Sequence, residues 1–316
     1  MTEFGYLIAK IQAADFVEHP FRHIYIKKFF NPQHFQEIVT SPEVALRQAR
    51  DDQDLLHILH DTGYQAITFP GTTTNLKEYI RWHKERDPRR HTNVETCEGL
   101  GVTLRLNRYK CGSTLGQLNT FFASAEFLAA LHEKFSLDNT KTYVDNGLQK
   151  YLDGYEISPH PDIRSKVLTY MININPAQES EHIDFHTHYM QFIPQRDYVK
   201  HYWRGNAEVD RCWVPWEWCE TIKMQRKNNS IVVFAPADDT LHAVRAAYNH
   251  LETQRTQFYG NLWLRDVGLK GKPSWRDYEI RCTPEIPARR NMKQQLKRLV
   301  PPSVVKLLRR RHAAKQ

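Results

Sequence analysis

Long apolar stretches are missing from this sequence. No run approaches the roughly 20 residues that a helix needs to cross a bilayer. The first 21 residues carry Glu3, Lys10, Asp15 and Glu18 where a secretory signal has an uninterrupted apolar core. We therefore expect a soluble, cytoplasmic protein.

Cysteine is scarce, and its spacing is not that of a structural motif. The five cysteines are Cys97, Cys111, Cys212, Cys219 and Cys282. Their number is odd and no C-x-x-C pair occurs, which argues against a disulfide framework and against a structural zinc ribbon. We expect reduced, mostly buried thiols.

A basic body is also missing, although the whole chain has a net charge of +8. Residues 289–316 hold ten Lys or Arg and no acidic residue, so the rest of the chain has 34 basic against 36 acidic residues, a net charge of −2. Because the body lacks the positive field that nucleic acids require, we expect no nucleic-acid partner. The segment 286–316 is a basic amphipathic tail, which predicts either peripheral contact with an anionic membrane at its inner face or a solvated terminus.

The apolar pattern is helical early in the chain and strand-like later. Residues 23–30 alternate as in a strand and lead into a helix that opens at Asn31-Pro32. Residues 102–106 alternate as in a half-buried strand, and apolar residues at helical spacing predict a helix over 124–135. Further strands are predicted over 149–157, 166–175, 230–235, 242–246 and 257–264.

Helices followed by short strands indicate an α+β protein with a mainly β core. We expect a sandwich or barrel supported by N-terminal helices rather than alternating βαβ units. No glycine-rich phosphate loop is present to support the alternating arrangement. A single domain is expected over 1–285, with its core at about 95–266.

The most informative stretch is YLDGYEISPHPDIRSKVLTYMININ, residues 151–175. His160 and Asp162 lie one residue apart, after one predicted strand and before the next, so both side chains can point the same way at a strand edge. An imidazole and a carboxylate placed so can chelate a metal. With one more histidine they form the two-His-one-carboxylate set that leaves open positions on iron(II).

The third histidine is expected on a later strand at the same edge. The apolar stretch SIVVFA, residues 230–235, is followed by an acidic turn and then by His242 among apolar residues. Thirteen residues further on, Arg255 opens the aromatic-rich stretch RTQFYGNLW. A guanidinium can hold a carboxylate with two parallel hydrogen bonds.

These segments resemble the iron(II)- and 2-oxoglutarate-dependent oxygenase superfamily, and especially its prolyl-hydroxylase-like branch. The resemblance covers about residues 20–265 and rests on PFRHIYIKKFF, HPD, NNSIVVFAPADDTLHAV and RTQFYGNLW. It implies a double-stranded β-helix, or jelly roll, with the site at one open end. It also implies a dioxygenase that hydroxylates a C–H bond, with Fe(II) and 2-oxoglutarate as cofactor and co-substrate and with ascorbate as an auxiliary reductant.

Carried over to this chain, the resemblance implies that His160, Asp162 and His242 bind iron as the catalytic centre. Arg255 would bind the distal carboxylate of 2-oxoglutarate. Tyr109 and Asn173 lie on predicted inner strands and could also hydrogen-bond the co-substrate, although core packing explains them equally well.

Two other interpretations of the site stay open. His182 and Asp184 also have H-x-D spacing, and with His186 and His188 they could form a zinc site of a hydrolase, since residues two apart on a strand face one way. The other alternative is a non-catalytic jelly-roll binding protein.

The substrate is indicated only by composition. Trp213, Trp216 and Trp218 could form a surface for sugar stacking, although core and loop packing explains them somewhat better. With the basic tail they favour a glycan or sugar-lipid intermediate, and a protein side chain or a small metabolite stays open as the substrate. Residues 176–215 lack the Gly-Gly element that often follows the metal-motif strand in the family, and we expect a long lid or substrate loop there.

Overall fold

The computed structural model describes residues 3–69, 72–85, 101–138, 142–247, 249–265 and 267–269, and the backbone of 271–276 and 279–284. Its helices are α1 (Tyr6–Ala13), α2 (Pro32–Thr40), α3 (Asp52–Thr62), α4 (Leu76–Glu85), α5 (Thr114–Phe122), α6 (Ala125–Phe135) and α7 (Tyr198–Gly205). Its strands are β1 (Ile24–Lys27), β2 (Tyr64–Ala66), β3 (Thr103–Leu106), β4 (Thr142–Tyr151), β5 (Ile157–His160), β6 (Lys166–Asn173), β7 (His188–Phe192), β8 (Cys219–Met224), β9 (Ser230–Phe234), β10 (His242–Val244), β11 (Arg255–Leu264), β12 (Gly271–Arg276) and β13 (Glu279–Pro284).

Two antiparallel sheets form the centre of the molecule. The large sheet has seven strands in the order β1-β9-β6-β11-β4-β3-β2, and the small sheet has four in the order β5-β10-β7-β8. Strands β12 and β13 form a separate two-stranded sheet. The α+β class with a mainly antiparallel β core is therefore confirmed.

The two faces of the large sheet have different partners. On one face, Leu168, Tyr170 and Ile172 of β6 and Phe258 of β11 belong to the main hydrophobic core, which the helices cover. This is the helix support that the sequence predicted. Because side chains alternate along a strand, the intervening residues point to the opposite face.

That opposite face meets the small sheet. Met171, Val232, Phe234 and Tyr259 of the large sheet form one buried cluster with Tyr189 of β7. The two sheets are therefore packed face to face. The edges of the strands in the small sheet lie close to this face of the large sheet.

Local sequence signals account for several helix boundaries. The Asn31 side chain accepts a hydrogen bond from the backbone N–H of His34, and Pro32 is at the first position of α2. The Ser124 side chain does the same for α6 by accepting from Phe127 N–H. The predicted strand and helix near residue 30 and the predicted helix over 124–135 are confirmed.

Two predicted boundaries are wrong. The strand predicted over 149–157 is two strands in different sheets, because the chain turns between β4 and β5, where Gly154 takes a left-handed conformation with φ of 77°. The stretch 176–215 is not one long loop: it contains β7 and α7, and apolar side chains from both are buried together.

The described helices are all too short and too polar to cross a membrane. Cys111, Cys212 and Cys219 are free thiols, but Cys111 is exposed and the other two are only partly buried, so the prediction of mostly buried thiols is wrong for these three. The predicted tail over 286–316 lies outside the described residues.

Candidate functional site

Three side chains converge where two strands of the small sheet meet. His160 ends β5 and is the direct pairing partner of His242, which begins β10. Asp162 follows two residues later, with its Oδ1 3.6 Å from His160 Nε2 and its Oδ2 3.7 Å from His242 Nε2. All three offer ligand atoms that lie within 4.8 Å of one another.

Backbone carbonyls fix the orientation of both imidazoles. His160 Nδ1 is 2.8 Å from the carbonyl oxygen of Ser158, and His242 Nδ1 is 3.0 Å from that of Thr240. Because a carbonyl can only accept, each Nδ1 donates, and each Nε2 lone pair is left facing the centre. Burial, reinforced by the neighbouring His160, lowers the pKa of His242 to about 3, which keeps this imidazole neutral.

The Asp162 carboxylate is held by two donors. Asp162, the last residue of the HPD motif, has a backbone φ of 62°, a left-handed conformation that Asp tolerates better than most residues. Lys166 Nζ donates to Oδ1 at 2.6 Å and Thr169 Oγ1 donates to Oδ2 at 2.8 Å. Burial alone would raise the pKa of Asp162, but the positive charge of Lys166 outweighs burial and holds this pKa well below its usual value. The group is therefore ionised.

Lys166 is a site residue that sequence reasoning missed. Its ammonium also donates to the Tyr259 hydroxyl at 3.0 Å and lies 5.3 Å from the centre of the Trp263 ring. The sequence contains one signal for this role, because a lysine begins an otherwise apolar strand four residues after Asp162. A surface lysine would also occupy such a position, so the signal does not identify a site residue.

The triad lies in the wall of a cavity of about 400 Å³ between the two sheets, and Arg255 lines the same cavity. The Arg255 side chain is only 4% exposed, donates from Nη2 to Thr187 Oγ1 at 2.8 Å and lies 4.6 Å from the centre of the Tyr151 ring. Its Nε has no hydrogen-bond partner, and no carboxylate in the described part of the chain pairs with it. A buried cation of this kind is stabilised by an anionic ligand.

The structure does not bring Tyr109 or Asn173 to this cavity. The Tyr109 hydroxyl accepts from Leu148 N–H at 3.1 Å and its ring packs against the main core. Asn173 donates to the carbonyl of Gln225 at 2.5 Å and accepts from Gln257 Nε2 at 2.7 Å. Both polar groups are used within the protein, and neither residue lines the cavity.

The alternative histidine cluster does not converge either. Asp184 and His182 are exposed, whereas His186 and His188 are buried and point to separate partners. His186 Nε2 is 2.8 Å from the carbonyl of Ser180, and His188 Nδ1 is 2.9 Å from Thr221 Oγ1. Among the described residues these side chains do not form a group with metal-ligand spacing.

A second buried His/Asp group lies between helices α3 and α4. His83 stands between two carboxylates, with Nδ1 2.8 Å from Asp52 and Nε2 2.8 Å from Asp153. Burial lowers the pKa of His83, but these two hydrogen bonds raise it more, so the ring is an imidazolium that donates from both nitrogens. His250 Nε2 lies 3.0 Å from Asp52. The group is an internally satisfied ionic network.

Only one of the three tryptophans singled out in the sequence lines the cavity. Trp213 does so, whereas Trp216 donates from Nε1 to Glu156 at 2.8 Å and Trp218 is buried in the cluster around α7. A sugar-stacking surface made of all three is therefore not present.

No protein-family model and no curated protein matches the chain. Among solved structures, a prolyl-4-hydroxylase from Pseudomonas putida is 8% identical with a TM-score of 0.40, covering 83% of this chain and 99% of that one. A 2OG-Fe(II) oxygenase family oxidoreductase from Burkholderia pseudomallei is 13% identical with a TM-score of 0.30, covering 72% and 100%. HygX from Streptomyces hygroscopicus, solved with nickel and 2-oxoglutarate bound, is 9% identical with a TM-score of 0.29, covering 71% and 96%.

Proposed function

We propose that this chain is an iron(II)- and 2-oxoglutarate-dependent dioxygenase that hydroxylates a C–H bond of a small substrate. The observation that carries the proposal is one cavity that holds both a two-His-one-carboxylate triad and a buried arginine that has no carboxylate partner among the described residues. The triad suits iron(II) and leaves coordination positions open. The arginine suits the distal carboxylate of a chelating dicarboxylate.

The residues fit a divalent metal in their protonation states as well as in their positions. His242 is neutral, Asp162 is ionised, and the Nε2 atoms of both histidines face the carboxylate. Metal binding requires these forms. Bound iron(II), with 2-oxoglutarate and dioxygen, supplies an oxidation that converts the co-substrate to succinate and carbon dioxide and inserts one oxygen atom into the substrate.

The protein's own groups position the reactants. Thr187 and the Tyr151 ring fix the plane of the Arg255 guanidinium, which would clamp the distal carboxylate of 2-oxoglutarate. Lys166 and Thr169 fix the carboxylate of Asp162. Ile157, Met171 and Val244 are apolar parts of the cavity wall and would limit access of water.

We infer further that the two facing sheets are the halves of a double-stranded β-helix, with the triad at its open end. Support comes from the antiparallel pairing in both sheets and from the cavity between them. A single domain over 1–285, a cytoplasmic location, and a glycan or sugar-lipid substrate stay predictions.

The test is an anaerobic titration with iron(II) and 2-oxoglutarate, followed by the visible band of the chelate. Wild-type protein should show the band, and His160→Ala and Asp162→Ala should lose it. Arg255→Ala should still bind iron but should bind 2-oxoglutarate roughly 100-fold more weakly, because one partner of a buried charge pair is gone. Arg245→Ala, which removes an exposed arginine outside the cavity lining, is the matched control and should behave as wild type.

Persistence of the band in Asp162→Ala would contradict the assignment. Admitting oxygen then separates an enzyme from a binding protein of the same fold. Succinate formed by wild type and absent from Asp162→Ala indicates turnover, whereas a normal chelate band without succinate would favour the non-catalytic alternative.

A further inference from the structure

The charges in the cavity wall do not balance. The charged lining residues are Arg105, Asp145, Asp162, Lys166, Arg211 and Arg255. Arg105 pairs with Asp145 at 2.6 Å, and Lys166 pairs with Asp162. Two guanidinium groups are left over, those of Arg211 and Arg255. Because iron(II) and the 2-oxoglutarate dianion carry equal and opposite charges, loading the proposed site would leave this excess of positive charge in place.

In the proposed function, Arg255 pairs with the distal carboxylate of 2-oxoglutarate. Arg211 is then the remaining guanidinium of the cavity wall that needs an anionic partner. Its side chain is 6% exposed, and its Nε has no hydrogen-bond partner within the described part of the chain. Its Nη1 is 3.7 Å from Asp238 Oδ1, well beyond the 2.7–2.9 Å of a charge-assisted hydrogen bond. Arg164 lies at the same distance of 3.7 Å from that oxygen, so one carboxylate stands between two guanidiniums.

Of these two arginines, Arg164 is already engaged. It donates to the carbonyl of Val209 at 2.7 Å and to that of Trp203 at 2.6 Å, so it fastens the segment after α7 to the metal motif. Val214 N–H donates to the carbonyl of Pro159 at 2.7 Å and fixes the other end of the same segment. Arg211 lies between these two attachments and is held at the cavity wall.

Apolar side chains surround the rest of the cavity on this side. Ile163, Trp213 and Trp263 line it, and Ile163 is 40% exposed although it directly follows Asp162. A neutral, highly hydroxylated ligand would leave Arg211 without a counter-charge and would cover these apolar surfaces poorly.

We propose that the substrate is a small molecule with an apolar body and one anionic group, a carboxylate or a phosphate, and that Arg211 binds this group. This inference rests on the proposed function, because it assumes that Arg255 and the triad hold the co-substrate and the metal. Arg211 is then the residue that determines substrate charge, while Ile163, Trp213 and Trp263 contact the apolar part.

The experiment measures binding, not turnover. Wild-type protein saturated with manganese(II) and 2-oxoglutarate is titrated by calorimetry with 3-phenylpropionate, phenyl phosphate and the neutral 3-phenylpropionamide. We expect the better of the two anions to bind at least roughly tenfold more tightly than the amide, a difference of about 1.4 kcal/mol. Comparison of the two anions shows whether a carboxylate or a phosphate is preferred.

Two variants test the residue. Arg211→Gln should lose the preference for anions while still binding manganese and 2-oxoglutarate. Asp238→Asn removes the carboxylate that competes for Arg211, and its Oδ1 has no hydrogen-bond partner within the described residues, so this variant should bind the anions more tightly. Arg245→Gln, which removes an exposed arginine, is the control and should change neither.

Wild-type protein that binds the anions and the amide equally, or binds none of them, would overturn the inference. An anion preference that persists in Arg211→Gln would also overturn it. If Arg211→Gln does not fold, unchanged or weaker anion binding by Asp238→Asn would overturn it instead. Failure of wild type to bind 2-oxoglutarate at all would instead overturn the proposed function.

Discussion

At the scale of single residues, the hydrogen bonds to Asp162 would decide how tightly the triad binds the proposed metal. Thr169 donates to Oδ2 at 2.8 Å and is itself 3.1 Å from Asn261 Oδ1. Groups that orient a ligand in this way are worth about 10- to 100-fold in metal affinity. Substitution of these groups is therefore the most direct test of whether the Asp162 carboxylate is positioned to bind a metal ion.

We expect Thr169→Val to weaken manganese(II) binding roughly tenfold, because the carboxylate loses a fixed donor while the side-chain volume is kept. Thr169→Ser keeps the hydroxyl and should bind as wild type does. Titration followed by electron paramagnetic resonance gives both constants, and equal affinity for the two variants would contradict the role of Thr169.

Lys150 is a buried amine that the site does not use. It lies on the helix-facing side of β4, where Nζ donates to the carbonyl of Val44 at 2.8 Å and to Thr256 Oγ1 at 2.9 Å. Burial lowers the pKa of Lys150 to about 7. The unfolded chain keeps this proton up to about pH 10.4, so over the intervening range the unfolded state binds more protons than the folded state.

The free energy of unfolding should therefore rise with pH above 7. Between pH 7 and pH 9.5 the contribution of Lys150 is about 3 kcal/mol. Lys150→Met cannot take up the proton, so its stability should lack that part of the rise. Urea denaturation of both proteins at several pH values measures the difference, and parallel pH profiles would show that Lys150 has an ordinary pKa.

At the scale of elements, β11 joins the main core to the site. Phe258 and Leu262 face the helices, whereas Gln257, Tyr259 and Asn261 line the cavity. Gly260 pairs directly with Tyr170 of β6, and a Cβ added at Gly260 would overlap Cζ of the Tyr170 ring. The ring is fully buried and is held by a hydrogen bond from Asn146, so it has little room to move.

Gly260→Ala should therefore lower the free energy of unfolding by about 1–3 kcal/mol, as expected for overpacking. Gly205→Ala is the matched control, because a Cβ there meets nothing within 4 Å. Chemical denaturation of both variants provides the test. Equal stability of the two would mean that the Tyr170 ring can move aside at no cost.

The elements that the sequence predicts well are those with a local cause. Asn31-Pro32 and Ser124 mark helix starts through capping, and the apolar runs at 166–175 and 230–235 are strands because both of their faces are buried. Strand β7 was missed because its pattern is set by contacts far away in sequence: His188 pairs with Ala243 on one side and Met224 on the other. The roles of Lys166 and Arg211 could not be predicted from the sequence for the same reason, because their partners come close to them only in the folded protein.

At the scale of the whole molecule, the proposed ligands would span both sheets. His160 and His242 belong to the small sheet, whereas Arg255 is on β11 of the large sheet. A molecule that binds the triad at one end and Arg255 at the other would connect the two sheets. Ligand binding should therefore be visible as global stabilisation.

We expect manganese(II) with 2-oxoglutarate to raise the unfolding temperature of wild type, with a gain of about 2.7 kcal/mol at 100 times the dissociation constant. Chelation of the metal should reverse the rise. Arg255→Ala should respond to the metal alone and gain little from 2-oxoglutarate, whereas Asp162→Ala should respond to neither. A thermal scan that shows equal stabilisation in all three proteins would rule out binding at this site.

The network around His83 connects parts of the chain that are distant in sequence. It joins α3 through Asp52, α4 through His83, the turn after β4 through Asp153 and the segment before β11 through His250. His83→Gln would leave the two carboxylates without their shared cation, and we expect a loss of about 3–5 kcal/mol. His57→Gln changes an exposed histidine on α3 and is the control. Equal urea midpoints for the two variants would show that the network contributes nothing to stability.

The alternation along β11 has a consequence for how this protein can change over generations. Its odd-numbered residues from 257 to 263 line the cavity, and Phe258 and Leu262 are packed among the helices. Mutations that reshape the cavity wall and mutations that disturb the packing against the helices therefore fall on alternate residues of this ten-residue segment. Gln257, Tyr259 and Asn261 also lie within hydrogen-bond distance of Asn173, Lys166 and Thr169, so Trp263, which is only partly buried, is the position on β11 where a randomised library should search first for altered specificity.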